Sequence, residues 1–288
     1  MKLSEAKQEY LLLFKGRTLL SYENTLDKFS DALGEIELSE IELEAIQSWL
    51  EAQPVALTTR QKYFRHLKAF FNWARDENLM LKTPIPKRFK LAVPEERLVE
   101  RILSRDEVEA MLCQETAATP QLNQRNRLLL ETIYFAGLRV GEVCALQWRQ
   151  LSPSGASGQL SAYGKGGKTR HILLPEVLWQ ALMAFRGAAP RGALVFRSRR
   201  GKALTPDRVG EIVKEAARKA RVENAEAVSP HWLRHSFASH GLDAGVAIHL
   251  VQRDLGHASV ATTSRYLHAR PGQSVGEALT FEGAGSGG

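Results

Sequence analysis

Residues 229–268 read SPHWLRHSFASHGLDAGVAIHLVQRDLGHASVATTSRYLH and carry the clearest local signals in the second half of the chain. A serine followed by a proline predicts the start of a helix, with Ser229 as its N-cap and Pro230 at its first position. Apolar residues at helical spacing before position 256 predict a second helix, which Gly256 ends in a left-handed conformation. The stretch is therefore typical of short helices joined by tight turns.

Four polar side chains in this stretch are candidates for chemistry. His231 and Arg234 lie three residues apart, so they share a face of the first helix, where its N-terminus and a planar guanidinium both favour phosphate. His257 directly follows the turn, and Tyr266 lies on the next helical segment. Each also has an ordinary alternative, because surface His–Arg pairs, structural histidines and half-buried tyrosines are common.

A fifth candidate is Arg139, in the sequence AGLRVGE. Gly137 ends one helix and the chain restarts at once, so Arg139 lies at a tight junction that would hold a phosphate-binding guanidinium rigidly. The alternative is that Arg139 forms a salt bridge with nearby Glu142.

Residues 158–174 change to the two-residue period of a strand, with QLSAY and TRHILLP on either side of GKGGK. This pattern predicts a β-hairpin whose tip carries Lys165 and Lys168. Three glycines allow the backbone at the tip to approach a ligand closely, although glycine–lysine turns are also common without one.

Residues 5–81 read as a series of helices, because apolar residues recur every three or four positions. The third is expected over 39–50, with Ser39 as N-cap and Glu42 at the capping-box position. The fourth runs from Thr58 to Glu77 and has either a solvated face or a surface that enters a DNA groove. Its basic residues are Arg60, Lys62, Arg65 and Lys68.

Residues 82–101 contain three prolines, which favour an extended linker over a helix. A second domain is expected to start near Ser104, an N-cap candidate with Glu107 at the capping-box position. The helical patterns of this domain cover 104–115, 125–149 and, after the hairpin, about 176 to 267.

The chain of 288 residues carries a net charge of +7, which favours a polyanionic partner. The segment from Arg186 to Arg221 contains eleven basic residues, Arg199 and Arg200 among them, against three acidic ones. It is either a solvated face or a surface that follows DNA phosphates. No apolar run approaches a membrane span and no signal pattern opens the chain, so a soluble, cytoplasmic protein without membrane contact is expected.

The sequence also bears on cofactors. A two-metal nuclease needs several converging carboxylates. Near the candidate residues only Glu142, Asp243 and Asp254 occur, without DxD, DxE or HExxH patterns. Cys113 and Cys144 have no cysteine or histidine partner at metal-binding spacing, so reduced thiols are expected. We therefore expect a metal-free mechanism without a cofactor.

The candidates occur in the order Arg139, Lys165, His231-x-x-Arg234, Leu-Gly-His257 and Tyr266. With AGLRVGE, GKGGKTRHILLP, HWLRHSFASH and LGHASVATTSRYLH, this order resembles the tyrosine recombinase (phage integrase) family, and Xer-type recombinases look closest. The resemblance implies a mainly α fold with a small β-hairpin or sheet in the catalytic domain, arranged as a two-domain DNA clamp. It implies a helical, SAM-like core-binding domain at 1–82, a linker at 83–102 and a catalytic domain at 103–288.

The resemblance also implies a reaction. Tyr266 would attack a DNA phosphodiester and form a 3′-phosphotyrosyl link, without ATP or metal. Arg139 and Arg234 would hold the non-bridging oxygens. Lys165 would be the general acid, with Lys168 as the alternative. His231 would take the tyrosine proton or assist its transfer, and His257 would donate a hydrogen bond to the phosphate.

The partner implied is double-stranded DNA with inverted-repeat half-sites, bound by a homo-tetramer or by an assembly that includes a second recombinase. Two alternatives stay open: a type IB topoisomerase that relaxes DNA, and a DNA-binding regulator without catalysis. A regulator has no need of a nucleophile, so a protein–DNA adduct stable to SDS distinguishes it from an enzyme. The residues expected to contact DNA are Arg60, Lys62, Arg65, Lys68, Lys87, Arg88, Lys168, Arg199 and Arg200.

Overall fold

The computed structural model describes residues 1–91, 101–164, 169–257, 259–264 and 266. The chain divides into two compact units, Met1–Glu96 and Arg97–Gly288, each with its own apolar core. Lys165 and Lys168 lie outside the described residues, as does most of the second half of the expected linker.

Over residues 1–91 the first unit is built from four helices, and the last of them forms its centre. Six side chains at helical spacing bury one face of this helix against the other three. These are Tyr63, Phe64, Leu67, Phe70, Phe71 and Ala74. The four helices are α1 (Leu3–Leu11), α2 (Gly16–Leu33), α3 (Leu43–Ala52) and α4 (Leu57–Asp76).

The expectation that Ser39 caps the third helix is wrong. Helix α3 begins at Leu43 with Glu42 as its N-cap, and Leu38–Glu40 forms a separate 3₁₀ turn. Leu38 and Ile41 are both buried, so the chain closes one tight turn that directs these two side chains into the core. Ile41 is then extended, which prevents a continuous helix.

The start of the expected linker packs on the first unit. Ile85 is only 1% exposed and belongs to its core, and Phe89 and Leu91 pack against the same cluster. Apolar side chains at these positions therefore anchor the chain beyond the boundary expected at residue 83.

In its described part, the second unit is mainly helical and contains one small antiparallel sheet of order β1-β2-β3. The hairpin expected over 158–174 is confirmed as β2 and β3, in which Leu160 pairs with Ile172 and both are buried. The edge strand β1 was not expected, because it is short and contains Pro153, a residue that only edge strands tolerate. The strands are β1 (Leu151–Ser154), β2 (Ser157–Tyr163) and β3 (Thr169–Leu174).

Several local helix signals in the second unit are confirmed. Ser104 and Glu107 form the expected capping box, and Ser229 is an N-cap followed by Pro230. The region expected to be helical over 125–149 consists of two helices separated at Gly137 and ends in a 3₁₀ turn at Trp148–Gln150. The helices are α5 (Arg105–Leu112), α6 (Pro120–Ala136), α7 (Val140–Cys144), α8 (Glu176–Arg186), α9 (Pro206–Lys219), α10 (Pro230–Asp243), α11 (Ile248–Leu255) and α12 (Val260–Ser264).

The fold class expected from the sequence, mainly α with a small sheet in the second unit, is confirmed. Within the described ranges, no helix combines the length and the apolar character that crossing a membrane requires.

Candidate active site

Three arginines meet at the C-terminal end of α11. The last carbonyl groups of a helix have no partner within it, and the helix dipole makes this end negative. Here the carbonyl oxygens of residues 254, 255 and 256 accept hydrogen bonds from three guanidiniums in turn. The donors are Arg170 Nε at 2.7 Å, Arg234 Nη2 at 2.6 Å and Arg139 Nη2 at 3.2 Å.

Arg234 is the most buried of the three, with 4% of its surface exposed. Its Nη1 donates to the carbonyl oxygen of Gly137, so one side chain joins the C-terminal ends of α6 and α11. Burial, together with nearby Arg139, lowers the pKa of Arg234 to about 10, and the guanidinium therefore stays charged at neutral pH. Among the described carboxylates none forms an ion pair with Arg234, and Glu142 acts on its charge from nearby.

Glu142 holds the other two arginines. It accepts hydrogen bonds from the backbone N–H of Arg139 at 2.8 Å and from its Nη1 at 3.1 Å. Arg170 donates to both carboxylate oxygens, at 2.8 and 2.7 Å. Burial alone would raise the pKa of Glu142, but the hydrogen bonds from Arg170 and Arg139 outweigh it and hold that pKa below its usual range. The salt bridge considered as an alternative for Arg139 thus exists, and it orients the guanidinium.

Gly137 makes this junction possible. Its φ is +55°, and a Cβ atom added there would lie 2.6 Å from the ring of Phe237. The chain therefore turns sharply between α6 and α7, and Arg139 becomes the N-cap residue of α7. The Arg139 side chain keeps 40% of its surface exposed, so a ligand in solvent can reach it.

Gly256 and Thr263 fix His257. Gly256 has a φ of +62°, as expected for the end of α11, and the His257 backbone N–H donates to the Gln252 carbonyl at 3.1 Å. Nδ1 of His257 lies 2.9 Å from Oγ1 of buried Thr263. Burial and the charges of the nearby arginines lower the pKa of His257 to about 4, so the ring is neutral at pH 7.

Tyr266 lies next to this group of cations. It follows α12, with its N–H donating to the Thr263 carbonyl at 3.1 Å. The side chain is 6% exposed and packs in an apolar cluster with Ile102, Val251 and Leu255. Its hydroxyl lies 2.6 Å from Nδ1 of His235.

His235 and Arg170 were not among the residues selected from the sequence. His235 directly follows Arg234 and lies one turn after His231, whose exposed ring stacks on it with 6.2 Å between ring centroids. Arg170 shares the inward face of β3 with buried Ile172 and Leu174, so strand alternation could have identified it as a buried cation that needs a partner.

Of the six residues selected from the sequence as catalytic, the structure brings Arg139, Arg234, His257 and Tyr266 to one end of α11. His231 lies one turn before His235 on α10, and partial desolvation and the charges of Arg234 and Arg139 lower its pKa. Lys165 lies outside the described residues.

The residues selected for DNA contact lie on both units. On α4, Arg65 is exposed, Arg60 donates to the Gln53 carbonyl at 3.2 Å, and Lys68 lies 5.9 Å from the Phe64 ring centroid. Lys62 is half-buried on the same helix. The exposed residues elsewhere are Lys87, Arg88, Arg199 and Arg200.

Part of the basic segment from Arg186 to Arg221 is neutralised. Arg208 pairs with Glu211 at 2.5 Å, and Arg218 pairs with both Glu215 and Glu226. The segment is therefore less uniformly positive than its sequence indicates, and the positive charge is concentrated before α9.

Two family profiles match the chain: "Phage integrase family" over residues 101–273 and "Phage integrase SAM-like domain" over residues 4–91. The tyrosine recombinase XerC of Mycobacterium sp. (strain JLS) is 31% identical over 92% of this chain and 93% of that protein. The tyrosine recombinase XerD of Caulobacter vibrioides (strain ATCC 19089 / CIP 103742 / CB 15) is 32% identical over 87% and 85% of the two chains.

Solved structures agree with these matches. The post-cleavage complex of XerH recombinase with palindromic difH substrate is 25% identical and has a TM-score of 0.74, over 87% of this chain and 76% of that one. The Tn1549 transposon integrase, solved with circular intermediate DNA, shares the fold with a TM-score of 0.77 at 20% identity, over 92% and 95% of the two chains. The chain therefore belongs to the phage integrase family and is a Xer-like tyrosine recombinase.

Proposed function

We propose that this protein cuts and rejoins DNA at specific sites through a covalent 3′-phosphotyrosyl intermediate, without metal or ATP. The observation that carries the proposal is the meeting of Arg139, Arg234 and His257 at the end of α11, with Tyr266 packed beside Leu255 of the same helix. Relatives named as tyrosine recombinases XerC and XerD, and the XerH complex with difH, support the same reaction class.

In the proposed step the Tyr266 oxygen attacks phosphorus, a P–O bond to tyrosine forms, and the bond to the 5′-oxygen breaks. Arg139 and Arg234 bind the non-bridging oxygens and stabilise the negative charge that develops there. Arg234 suits this role because it is charged, buried and already oriented by two carbonyl groups. The phosphotyrosyl ester conserves the energy of the broken bond, so the reverse attack by a 5′-hydroxyl rejoins the strand.

The leaving 5′-oxygen needs a proton, and we assign its delivery to Lys165, with Lys168 as the alternative. Both belong to the tip that joins β2 to β3. Arg170 pairs with Ala162 near the end of the hairpin that adjoins these two lysines in sequence, and it bonds to Glu142 and to the Asp254 carbonyl, so the described end of the hairpin lies at the site. His231 assists removal of the tyrosine proton. His257, with Nδ1 engaged by Thr263, uses Nε2 toward the phosphate.

We propose double-stranded DNA with inverted-repeat half-sites as the substrate. Each protomer would cover one half-site, and two sites would come together in a tetramer. The basic residues of both units supply phosphate contacts, chiefly Arg65, Lys87, Arg88, Arg199 and Arg200. Sites of this kind are best found by selecting bound sequences from a random DNA pool.

Tyr266→Phe tests the nucleophile directly. A selected site with a nick beside the scissile phosphate traps the covalent product, and we expect an SDS-stable adduct with the unmodified protein in buffer containing EDTA. The phenylalanine variant should bind the same DNA with unchanged affinity and form no adduct, because only the attacking oxygen is lost. An adduct with the variant would show that Tyr266 is not the nucleophile, and loss of the adduct in EDTA would contradict the metal-free mechanism.

A further inference from the structure

His235 contacts the atom that would attack phosphorus. Its Nδ1 lies 2.6 Å from the Tyr266 hydroxyl oxygen, a short hydrogen bond, and the ring centroids are 5.6 Å apart. The proposed function gives His235 no role. His231, which the proposed function has assist removal of the tyrosine proton, is exposed and stacks on the ring of His235.

The protonation state of His235 suits a hydrogen-bond acceptor. Burial, reinforced by His231, Arg101 and Arg234, lowers its pKa to about 4, so the ring is neutral at pH 7. A neutral imidazole has one nitrogen that accepts and one that donates. If Nδ1 accepts a hydrogen bond from the phenol O–H, the lone pairs of the tyrosine oxygen stay directed away from the histidine and available for attack.

The position of His235 in the chain also matters. Arg234 and His235 are consecutive on α10, so one turn of one helix holds both a phosphate-binding guanidinium and the partner of the nucleophile. The backbone of this turn is fixed, because Arg234 bonds to Gly137 and Leu255. The position of the Tyr266 hydroxyl relative to the Arg234 guanidinium therefore depends on these two neighbouring side chains.

We infer that His235 is a positioning residue, which accepts a hydrogen bond from Tyr266 through Nδ1 and holds its oxygen for in-line attack. The inference rests on the proposed function, because it concerns the same nucleophile. The ring of Tyr266 is held by apolar contacts with Ile102, Val251 and Leu255, which restrict its plane and leave its hydroxyl direction to a polar partner. Misplacing a reacting atom by about 1 Å costs on the order of 100-fold in rate.

The test compares three substitutions at position 235 on the nicked DNA substrate. His235→Ala should slow single-turnover adduct formation by about 10- to 100-fold, with DNA affinity unchanged. His235→Asn places an amide oxygen where Nδ1 lies and should restore most of the rate, whereas His235→Gln carries its amide one carbon further and should not. His249→Ala, an exposed histidine on α11, is the matched control and should react normally.

A double-mutant cycle on unfolding measures the contact without any reaction. His235→Ala and Tyr266→Phe should destabilise the protein non-additively, since either one removes the same hydrogen bond. Normal adduct formation by His235→Ala, or additive stabilities, would overturn the inference and leave the proposed function intact. Failure of the unmodified protein to form any adduct would instead contradict the proposed function, and the unfolding cycle would still report on the hydrogen bond.

Discussion

Among single residues, the two arginines Arg234 and Arg139 differ in how far solvent reaches them. Arg234 is buried and bonds to two helix-end carbonyls, whereas Arg139 keeps 40% of its side-chain surface in solvent. Substituting Arg234 would both remove charge and leave two carbonyl groups without their donor. Arg139 is therefore the better residue for measuring electrostatic stabilisation of the transition state.

We predict that Arg139→Ala lowers the rate of adduct formation by about 100- to 1,000-fold, or roughly 3–4 kcal/mol, with little change in DNA affinity. The contact strengthens as negative charge develops on the phosphate, so its loss affects the transition state more than the bound substrate. Single-turnover cleavage and equilibrium DNA binding measure the two quantities. Arg149→Ala, an exposed arginine of the same unit, is the control. Equal losses of affinity and rate would identify Arg139 as an ordinary DNA-binding residue.

At the scale of elements, Glu142 and Arg170 connect the start of α7, strand β3 and the end of α11. One largely buried ion pair thereby joins the tip end of the β2–β3 hairpin, the junction that carries Arg139 and the turn that carries His257. Removing one partner of such a pair is costly, because the other charge stays buried without compensation.

We predict that Glu142→Gln lowers the free energy of unfolding by about 3–5 kcal/mol. Removing both charges, in Glu142→Gln with Arg170→Gln, should recover part of this loss. The comparison is Glu131→Gln on α6, whose partner Arg127 is mostly exposed and whose pair should contribute about 0.5 kcal/mol or less. Urea unfolding measures the free energy of unfolding of the two single variants and the double variant. Equal losses for Glu131→Gln and Glu142→Gln would show that the buried network contributes no more than a surface pair.

The pH dependence of this network has a defined sign. The folded pKa of Glu142 lies below its ordinary value of 4.5, so the native state favours the ionised form. Its contribution to stability is complete above that value and is lost as the pH falls through the folded pKa. Urea unfolding between pH 6 and 3, with Glu142→Gln as the reference, should therefore show a difference that shrinks toward acid pH. If the difference in unfolding free energy between the unmodified protein and Glu142→Gln did not change with pH, ionisation of Glu142 would be excluded as its source.

The elements also show where sequence reasoning succeeds. Ser104, Pro230 and Gly256 act within one turn of the chain, so their helix boundaries were predicted from neighbours alone. Ser39 was wrongly predicted as an N-cap, because the burial of Leu38 and Ile41 in the core, which local spacing does not show, favours the 3₁₀ turn. Residues that interact in a helix cap or a turn are close in sequence, whereas residues that pack together in the core are far apart in sequence.

The same reasoning separates the site residues. Arg139, Arg234 and Tyr266 became candidates through their local positions, and the resemblance of their order and motifs to a known family then implied their roles. The bonds of Arg170 to Glu142, 28 residues away, and of His235 to Tyr266, 31 residues away, depend on the folded chain. Spacing along the sequence does not predict such long-range contacts. The alternation of β3 does place Arg170 on its buried face, and this position indicated a cation that needs a partner.

At the scale of the whole molecule, two separate cores allow the units to be studied apart. The first unit has its own aromatic core, and the second buries Trp148 and Phe196 around its sheet and helices. Basic residues occur on both, with Arg65 on α4 and Arg199 and Arg200 before α9. We expect each unit to bind part of one half-site, and the intact chain to bind with a steep dependence on salt, because many phosphates are neutralised together.

We predict that fragments 1–90 and 100–288 each bind a half-site much more weakly than the intact chain. Joining two binding units raises the effective concentration of the second once the first is bound, which increases overall affinity by about 100- to 10,000-fold. Fluorescence anisotropy at fixed salt compares the two fragments, their equimolar mixture and the intact chain, with circular dichroism to check that each fragment is folded. The mixture should bind no better than the stronger fragment. If folded 100–288 bound as tightly as the intact chain, the first unit would contribute no affinity and its basic residues on α4 would need another explanation.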